Sequence, residues 1–269
     1  MRLSIGSYTY TWAVGVPGYP SPAKRLEGED LVNIAADVGV TVCQLADNIP
    51  LSSYPSSKLH SLSSKAADLN VELEIGTRGT DRITLETYLN LAVSLKARLV
   101  RTVLTSHDEN QFKLTVNILK DVLPRFEDAG VLLSIENHDR HPTLYLRRLI
   151  EECSSSCLGV CLDTVNSFAA LEAPNDVVDA LGPFTNCLHI KDFEIVRLDH
   201  QMGFIIQGTP AGKGRLNIPR TLQVVSKHQS NISVILELWT PYCGSLEQTI
   251  LKEASWAKLS IDYLRSVMK

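Results

Sequence analysis

Two hydrophobic rhythms alternate along this chain from one end to the other. Short, nearly continuous apolar runs fall at residues 2–8 (RLSIGSY), 41–46 (TVCQLA), 71–76 (VELEIG), 99–104 (LVRTVL), 131–137 (VLLSIEN), 158–163 (LGVCLD), 186–191 (NCLHIK) and 233–238 (SVILEL). Runs of this length, rich in Val, Ile and Leu and bounded by turn residues, predict buried strands. Between them lie longer stretches with apolar residues three and four apart, at 29–39, 56–70, 81–97, 110–130, 142–153, 173–182, 218–228 and 245–267. That spacing lays an apolar stripe along one face of a helix. Asp81 stands where a capping carboxylate belongs, Pro142 stands in a first turn, and Gly39 closes a periodic run. Strict strand–helix alternation implies parallel pairing, and eight such units predict a closed (β/α)8 barrel. No Pro- or Ser-rich linker and no charge block interrupts the chain, so residues 1–269 read as one domain. One segment, 192–217, breaks the alternation; its Phe204-Ile205-Ile206 run predicts a hairpin or a lid.

Composition narrows the function classes. With 44% hydrophobic and 21% charged residues, this is an ordinary globular composition. A net charge of −4 offers nothing to a phosphate backbone, so no nucleic-acid partner is expected. No run approaches the roughly 18 apolar residues of a membrane span. The N-terminus lacks the layout of a secretory signal, and a cytoplasmic location is the expectation. Cys43, Cys153, Cys157, Cys161, Cys187 and Cys243 include no C-x-x-C pair, and they read as buried structural thiols.

The chemistry lies at the strand ends. Four consecutive apolar runs each deliver one potential ligand: Glu136, Asp163, His189 and Glu237. Burying an unpaired carboxylate is costly. In a barrel the C-terminal strand ends share one mouth, so the four side chains are expected to converge there. Three carboxylates crowded into one pocket repel one another unless a cation joins them. With an imidazole they form a fairly hard donor set suited to Mn2+ or Mg2+, with Zn2+ or Co2+ as further options.

The sequences IENH, LDTVN, LHIKD and ILELW, in that order, resemble the sugar phosphate isomerase/epimerase superfamily, the xylose isomerase-like TIM barrels. The resemblance runs from about Ser4 to the last helix and implies metal ligation by Glu136, Asp163, His189 and Glu237. The glycine-rich GKG at Gly212–Gly214 is similar to the turn that precedes the seventh helix in that family. There are departures. Ketose 3-epimerases of the superfamily carry a His where this chain has Asn166, and the apurinic endonucleases use that His as a further ligand. The early strand ends here offer Asn48 and Gly76, so a trinuclear zinc nuclease is not expected.

Metal-assisted proton abstraction next to a carbonyl, through an enediolate, is the leading expectation: isomerisation or epimerisation of a keto-sugar or polyol, with Glu136 and Glu237 as bases. His138 lies two residues beyond Glu136 and shares its face if the strand continues. As an acid or base it would support the alternative, a lyase or dehydratase acting on a keto-sugar, keto-glycoside or keto-polyol. A third reading is a non-catalytic sugar-binding barrel. Substrate contacts are expected from Lys191, Asn166, Arg215, Arg101, His107, Tyr8 and Trp12. Lys191 could instead pair with Asp192 or Glu194, Arg101 could position a carboxylate, and the two aromatics could form a wall for a sugar ring. A homo-oligomer is compatible with all of these readings.

Overall fold

The computed structural model describes residues 1–105, 109–139, 141–200 and 202–268. The chain opens with β1 (Arg2–Gly6) and a short α1 (Thr11–Val14), followed by α2 (Gly28–Asp37), β2 (Val42–Leu45), α3 (Ser56–Asp68), β3 (Glu72–Gly76) and α4 (Arg82–Leu95). It continues through β4 (Leu99–Val103), α5 (Glu109–Ala129), β5 (Leu132–Glu136), α6 (Thr143–Cys153), β6 (Leu158–Asp163) and α7 (Pro174–Leu181). The last units are β7 (Thr185–Ile190), a hairpin of β8 (Asp192–Arg197) and β9 (Phe204–Thr209), α8 (Ile218–Ser226), β10 (Ser233–Leu236) and α9 (Leu246–Val267).

Eight strands close in the order β1-β10-β7-β6-β5-β4-β3-β2, all parallel, which is the expected (β/α)8 barrel. Asp81 caps α4 as predicted by accepting from the Thr84 amide at 3.0 Å, whereas Pro142, expected in a first turn, stands one residue earlier as the extended residue before α6. Among the described residues no helix is long and apolar enough to cross a membrane.

Each strand faces two environments, and its two-residue period assigns one side chain to each in turn. Leu133, Ile135, Val160, Leu162, Leu188, Ile190, Val234 and Leu236 join the large apolar core shared with the helices. The alternate positions point into the barrel, where Leu99, Cys161, Cys187 and Ile235 form a small separate cluster. One step further along the same strands come the predicted ligands, so that the apolar plug becomes the floor of the mouth.

The segment between β7 and α8 forms the hairpin that its sequence predicts, with antiparallel register Ile195↔Ile206 and Val196↔Ile205. Its base is held by Asp192, which is 1% exposed. That carboxylate accepts from the amides of Phe193 (2.8 Å), Gly212 (2.9 Å), Gly214 (2.9 Å) and Leu216 (3.0 Å). The glycines are needed for this wrap: Gly212 has φ +79, and a Cβ on Gly214 would strike the Asp192 carboxylate and the Phe193 carbonyl. Asp192→Ala leaves four amides without their acceptor, those of Phe193 and Leu216 buried and those of Gly212 and Gly214 partly so. Unsatisfied buried groups cost about 1–3 kcal/mol each, and loop relaxation toward water recovers part of that. The expected result is roughly 3 kcal/mol lost in urea unfolding, with faster amide exchange at Gly212 and Gly214.

Candidate metal centre

Glu136 ends β5, Asp163 ends β6, His189 lies one residue short of the end of β7, and Glu237 follows β10. Glu237 keeps strand geometry because its amide donates to the Ile190 carbonyl at 3.0 Å and the Leu238 amide to Tyr8 at 3.0 Å. The four side chains converge as predicted. His189 Nδ1 lies 3.1 Å from Glu237 Oε1, 3.7 Å from Glu136 Oε2 and 3.9 Å from Asp163 Oδ2. Ligand atoms of Glu136, Asp163 and His189 all fall within 4.8 Å of one another. Each of the four residues is at most 2% exposed.

Second contacts fix which atoms face the centre. Asp163 Oδ1 accepts from the amides of Val165 (2.9 Å) and Asn166 (2.8 Å), which leaves Oδ2 for the centre. Asn137, the N of the IENH motif, ties β5 to β6: it accepts from the Asp163 amide at 2.7 Å and donates to the Asp163 carbonyl at 2.9 Å. Gln44 orients the imidazole. Its Nε2 donates to Glu74 at 3.1 Å, so its Oε1 is the acceptor 2.8 Å from His189 Nε2. One proton therefore sits on Nε2, and in the neutral imidazole the Nδ1 lone pair faces three carboxylates. Nδ1 and Asp163 Oδ2 are both buried; neither makes a hydrogen bond, and Oδ2 is ion-paired with Lys191 Nζ at 2.9 Å. Lone pairs aimed at one another in a buried space fit a cation, and the donor set matches a hard divalent ion.

The charges carry the same message. Burial pulls the His189 imidazole down, but Glu237, Cys187 and Glu136 outweigh it and push it up to about 10. Burial raises Asp163, which Lys191 lowers while Glu136 and Glu237 raise it further; the net shift is upward. The cluster thus demands positive charge, from a proton or from a metal that takes its place. Gln44→Leu frees the imidazole to change tautomer; outer-shell losses of this kind typically weaken metal affinity 10–100-fold. The same loss is expected in Mn2+ titrations of this variant, with little change in the folded far-UV spectrum.

Arg101 and Lys191 are the permanent cations here. Arg101 Nε donates to Glu136 Oε2, and its Nη1 donates to Asp47 at 2.9 Å, so Arg101 positions a strand-end carboxylate. Lys191 Nζ lies 2.9 Å from Asp163 and 2.8 Å from Glu237, so neither Asp192 nor Glu194 is its partner. Asn166, where epimerases carry a His, donates to Glu136 Oε1 at 2.6 Å and accepts from Lys191 at 3.3 Å. Both oxygens of Glu136 are therefore held. Burial raises this carboxylate, but Arg101, His189 and Lys191 prevail and bring it down to about 2.

A cavity of about 390 Å³ opens beside the cluster, with Lys191 and Asn166 on one wall and Tyr8, Thr11, Trp12, Val16, Val165, Leu238, Trp239 and Thr240 on the others. Tyr8 and Trp12 line this cavity, and Trp12 is anchored by its Nε1 donating to the Thr240 carbonyl at 2.7 Å. His138 is half-buried, and burial lowers its proton affinity while the fields of Glu136, Arg101, Arg78 and Lys191 all reach it. Arg215 departs from expectation. Glu194 holds it at 2.7 Å in an exposed pair on the hairpin, and it does not line the cavity. Asn48 donates to the Ser7 carbonyl at 3.3 Å. His107 lies outside the described residues.

Sequence reasoning missed Asp47, Gln44, Glu74, Arg78 and Trp239. Asp47 gathers Tyr8 (3.2 Å), Arg78 (2.6 Å) and Arg101 (2.9 Å). Gln44 and Glu74 carried a readable signal: Gln44 is the one polar residue of β2, and Glu74 lies in the middle of β3, where a parallel strand is buried on both faces.

A parallel eight-stranded barrel with a buried carboxylate–imidazole cluster in its mouth defines a recognisable class of protein. A family model described as Xylose isomerase-like TIM barrel matches residues 74–267, and the chain belongs to that family. It is 32% identical over 268 residues to the 3-oxo-isoapionate decarboxylase of Pectobacterium atrosepticum, a match covering 98% of this chain and 95% of that protein. In structure it is similar to the D-psicose 3-epimerase of Clostridium cellulolyticum H10, with TM-score 0.74, 15% identity and 100% of both chains covered. It is also similar to a xylose isomerase-like TIM barrel protein of Mycobacterium smegmatis in complex with magnesium, with TM-score 0.69, 13% identity and 100% and 98% coverage.

Proposed function

We propose that this protein is a divalent-metal-dependent lyase that decarboxylates a small 3-oxo sugar acid, with Glu136, Asp163, His189 and Glu237 holding Mn2+ or Mg2+. The observation that carries this reading is the restraint on Glu136. A base that takes a proton from carbon needs a free oxygen and an affinity near the working pH. Arg101 and Asn166 each donate to one Glu136 oxygen, which leaves a lone pair for a metal but holds the carboxylate's proton affinity down to about 2, far below the working pH. Epimerisation and isomerisation through paired glutamates, the leading expectation from the sequence, therefore receive less support than the lyase alternative. The full-length likeness to a protein named as a 3-oxo acid decarboxylase points the same way.

Decarboxylation of a 3-oxo acid needs no base to start. The C–C bond breaks, carbon dioxide leaves, and the electron pair passes into the neighbouring ketone as an enolate, whose carbon then takes a proton. When bound, the metal supplies Lewis acidity toward the ketone oxygen. Lys191, fixed between Asp163 and Glu237 on the cavity wall, presents a positive charge to the growing negative charge. Its backbone is pinned by Thr164, whose hydroxyl donates to the Lys191 carbonyl at 2.9 Å and accepts from the Lys191 amide at 3.0 Å. Tyr8, Trp12 and Trp239 line the cavity and offer flat faces to a sugar carbon chain. His138, half-buried two residues beyond Glu136 and of lowered proton affinity, is the candidate for returning a proton to the carbanion carbon.

The test is a panel of 3-oxo sugar acids and unmodified ketoses with Mn2+-loaded protein in deuterated water. Release of carbon dioxide with one deuterium in the product is the expected result. Solvent exchange at a ketose carbon without loss of carbon would overturn the lyase reading and restore the epimerase one.

A further inference from the structure

We propose a second metal site in the floor of the barrel, built from Cys161, Cys187 and His189 and suited to a thiophilic ion such as Zn2+ or Cd2+. Cys161 and Cys187 are direct register partners on the adjacent parallel strands β6 and β7. Their partners two residues on are Asp163 and His189, so both thiols point into the barrel, one layer below the carboxylate cluster. The two sulfurs and an imidazole nitrogen of His189 all lie within 4.8 Å of one another, and all three residues are fully buried. In a tetrahedral site with metal–sulfur bonds near 2.3 Å, ligand atoms sit roughly 3.5–4 Å apart, so small rotamer shifts close this set around an ion.

A fourth donor is at hand. Glu74, also fully buried, has Oε2 3.7 Å from Cys187 Sγ, and Ser233 Oγ stands 3.6 Å from the same sulfur. Gln44 Nε2 lies 3.5 Å from Cys187 Sγ, and Leu99 and Ile235 complete the layer with an apolar wall that favours soft thiolate ligation over hydrated hard ions. His189 thus stands between two donor sets of opposite character, with carboxylates above and thiols below. An ion held by the thiols ties the imidazole to the floor and withdraws it from the upper set, so zinc-group metals inhibit this protein rather than activate it. Cys161 and Cys187 escape any sequence search for zinc motifs because they come from separate strands, not from one short loop.

The probe is Cd2+ added to the reduced, metal-free full chain, with thiolate-to-cadmium ultraviolet absorption as the readout, independent of any substrate. One ion per chain with a band of two thiolates is expected. Cys161→Ser and Cys187→Ser are each expected to abolish that band, and a variant with Cys43, Cys153, Cys157 and Cys243 changed to Ser is expected to keep it. No band in the wild-type chain, or a band that persists in Cys161→Ser and Cys187→Ser, would overturn the proposal. If the single variants fail to fold, the four-fold variant decides alone: loss of its band overturns the site, and retention supports it. None of these outcomes depends on which reaction the upper site performs.

Discussion

Arg101→Leu is expected to destabilise the protein by about 3–5 kcal/mol, the usual consequence of leaving one half of a buried ion pair behind. Arg101 is 2% exposed, and it is held by Glu136, Asp47 and the Thr77 carbonyl. Removing it strands the Glu136 carboxylate in the floor of the mouth and loosens Asp47, which retains Tyr8 and Arg78. Urea unfolding of metal-free protein measures the loss, and Arg101→Leu combined with Glu136→Gln should recover part of it. Acid titration gives the same information on the wild type. The folded Glu136 is brought down to about 2 from an ordinary carboxylate value of 4.5. Its contribution, of the order of 3 kcal/mol, is therefore complete above about pH 4.5 and disappears as the pH falls toward 2. In Arg101→Leu this acid limb should shrink or reverse, because burial then dominates the carboxylate.

Lys191→Met is expected to lower kcat by about 10²–10³-fold, the effect of deleting one preorganised charge at a developing anion, while Mn2+ binds more tightly. The second half of that prediction follows from geometry. The ammonium lies within 3 Å of both Asp163 and Glu237, in competition with any divalent ion for their oxygens. Burial disfavours its charge, yet Asp163, Glu237 and Glu136 hold its proton well above the ordinary lysine range. Without it, the two carboxylates repel each other until a metal arrives, so the metal-free variant should be less stable than wild type and the Mn2+-loaded variant should regain most of the loss. Titration calorimetry separates the two effects from turnover. Loss of activity together with loss of metal binding would contradict the role assigned to Lys191.

The barrel and its cluster were legible because their signals are local. An apolar run that ends in Glu136, Asp163, His189 or Glu237 announces both a buried strand and a costly side chain, and the parallel barrel dictates that such ends meet. The supporting shell was not legible in the same way. Asp47 and Arg78 follow β2 and β3, and only closure of the sheet brings them to Arg101 and Tyr8. Trp239 follows Glu237 by two residues, yet only the folded hairpin gives its indole a partner, the Asp192 carbonyl at 3.2 Å. The direction of Lys191 depended on which carboxylates lay nearer in space than Asp192 and Glu194 do in sequence. Arg215 shows the reverse case, a cation beside a glycine turn that lies outside the cavity and pairs with Glu194 at the surface.

Electron paramagnetic resonance titration of the purified, metal-stripped chain with Mn2+ tests the central claim most directly. The account predicts one tightly held ion per chain, with binding lost in Asp163→Ala and in His189→Ala while both variants keep the wild-type circular dichroism spectrum. Mn2+ that stays free in the presence of the wild-type chain, or binds equally well to both variants, would contradict it.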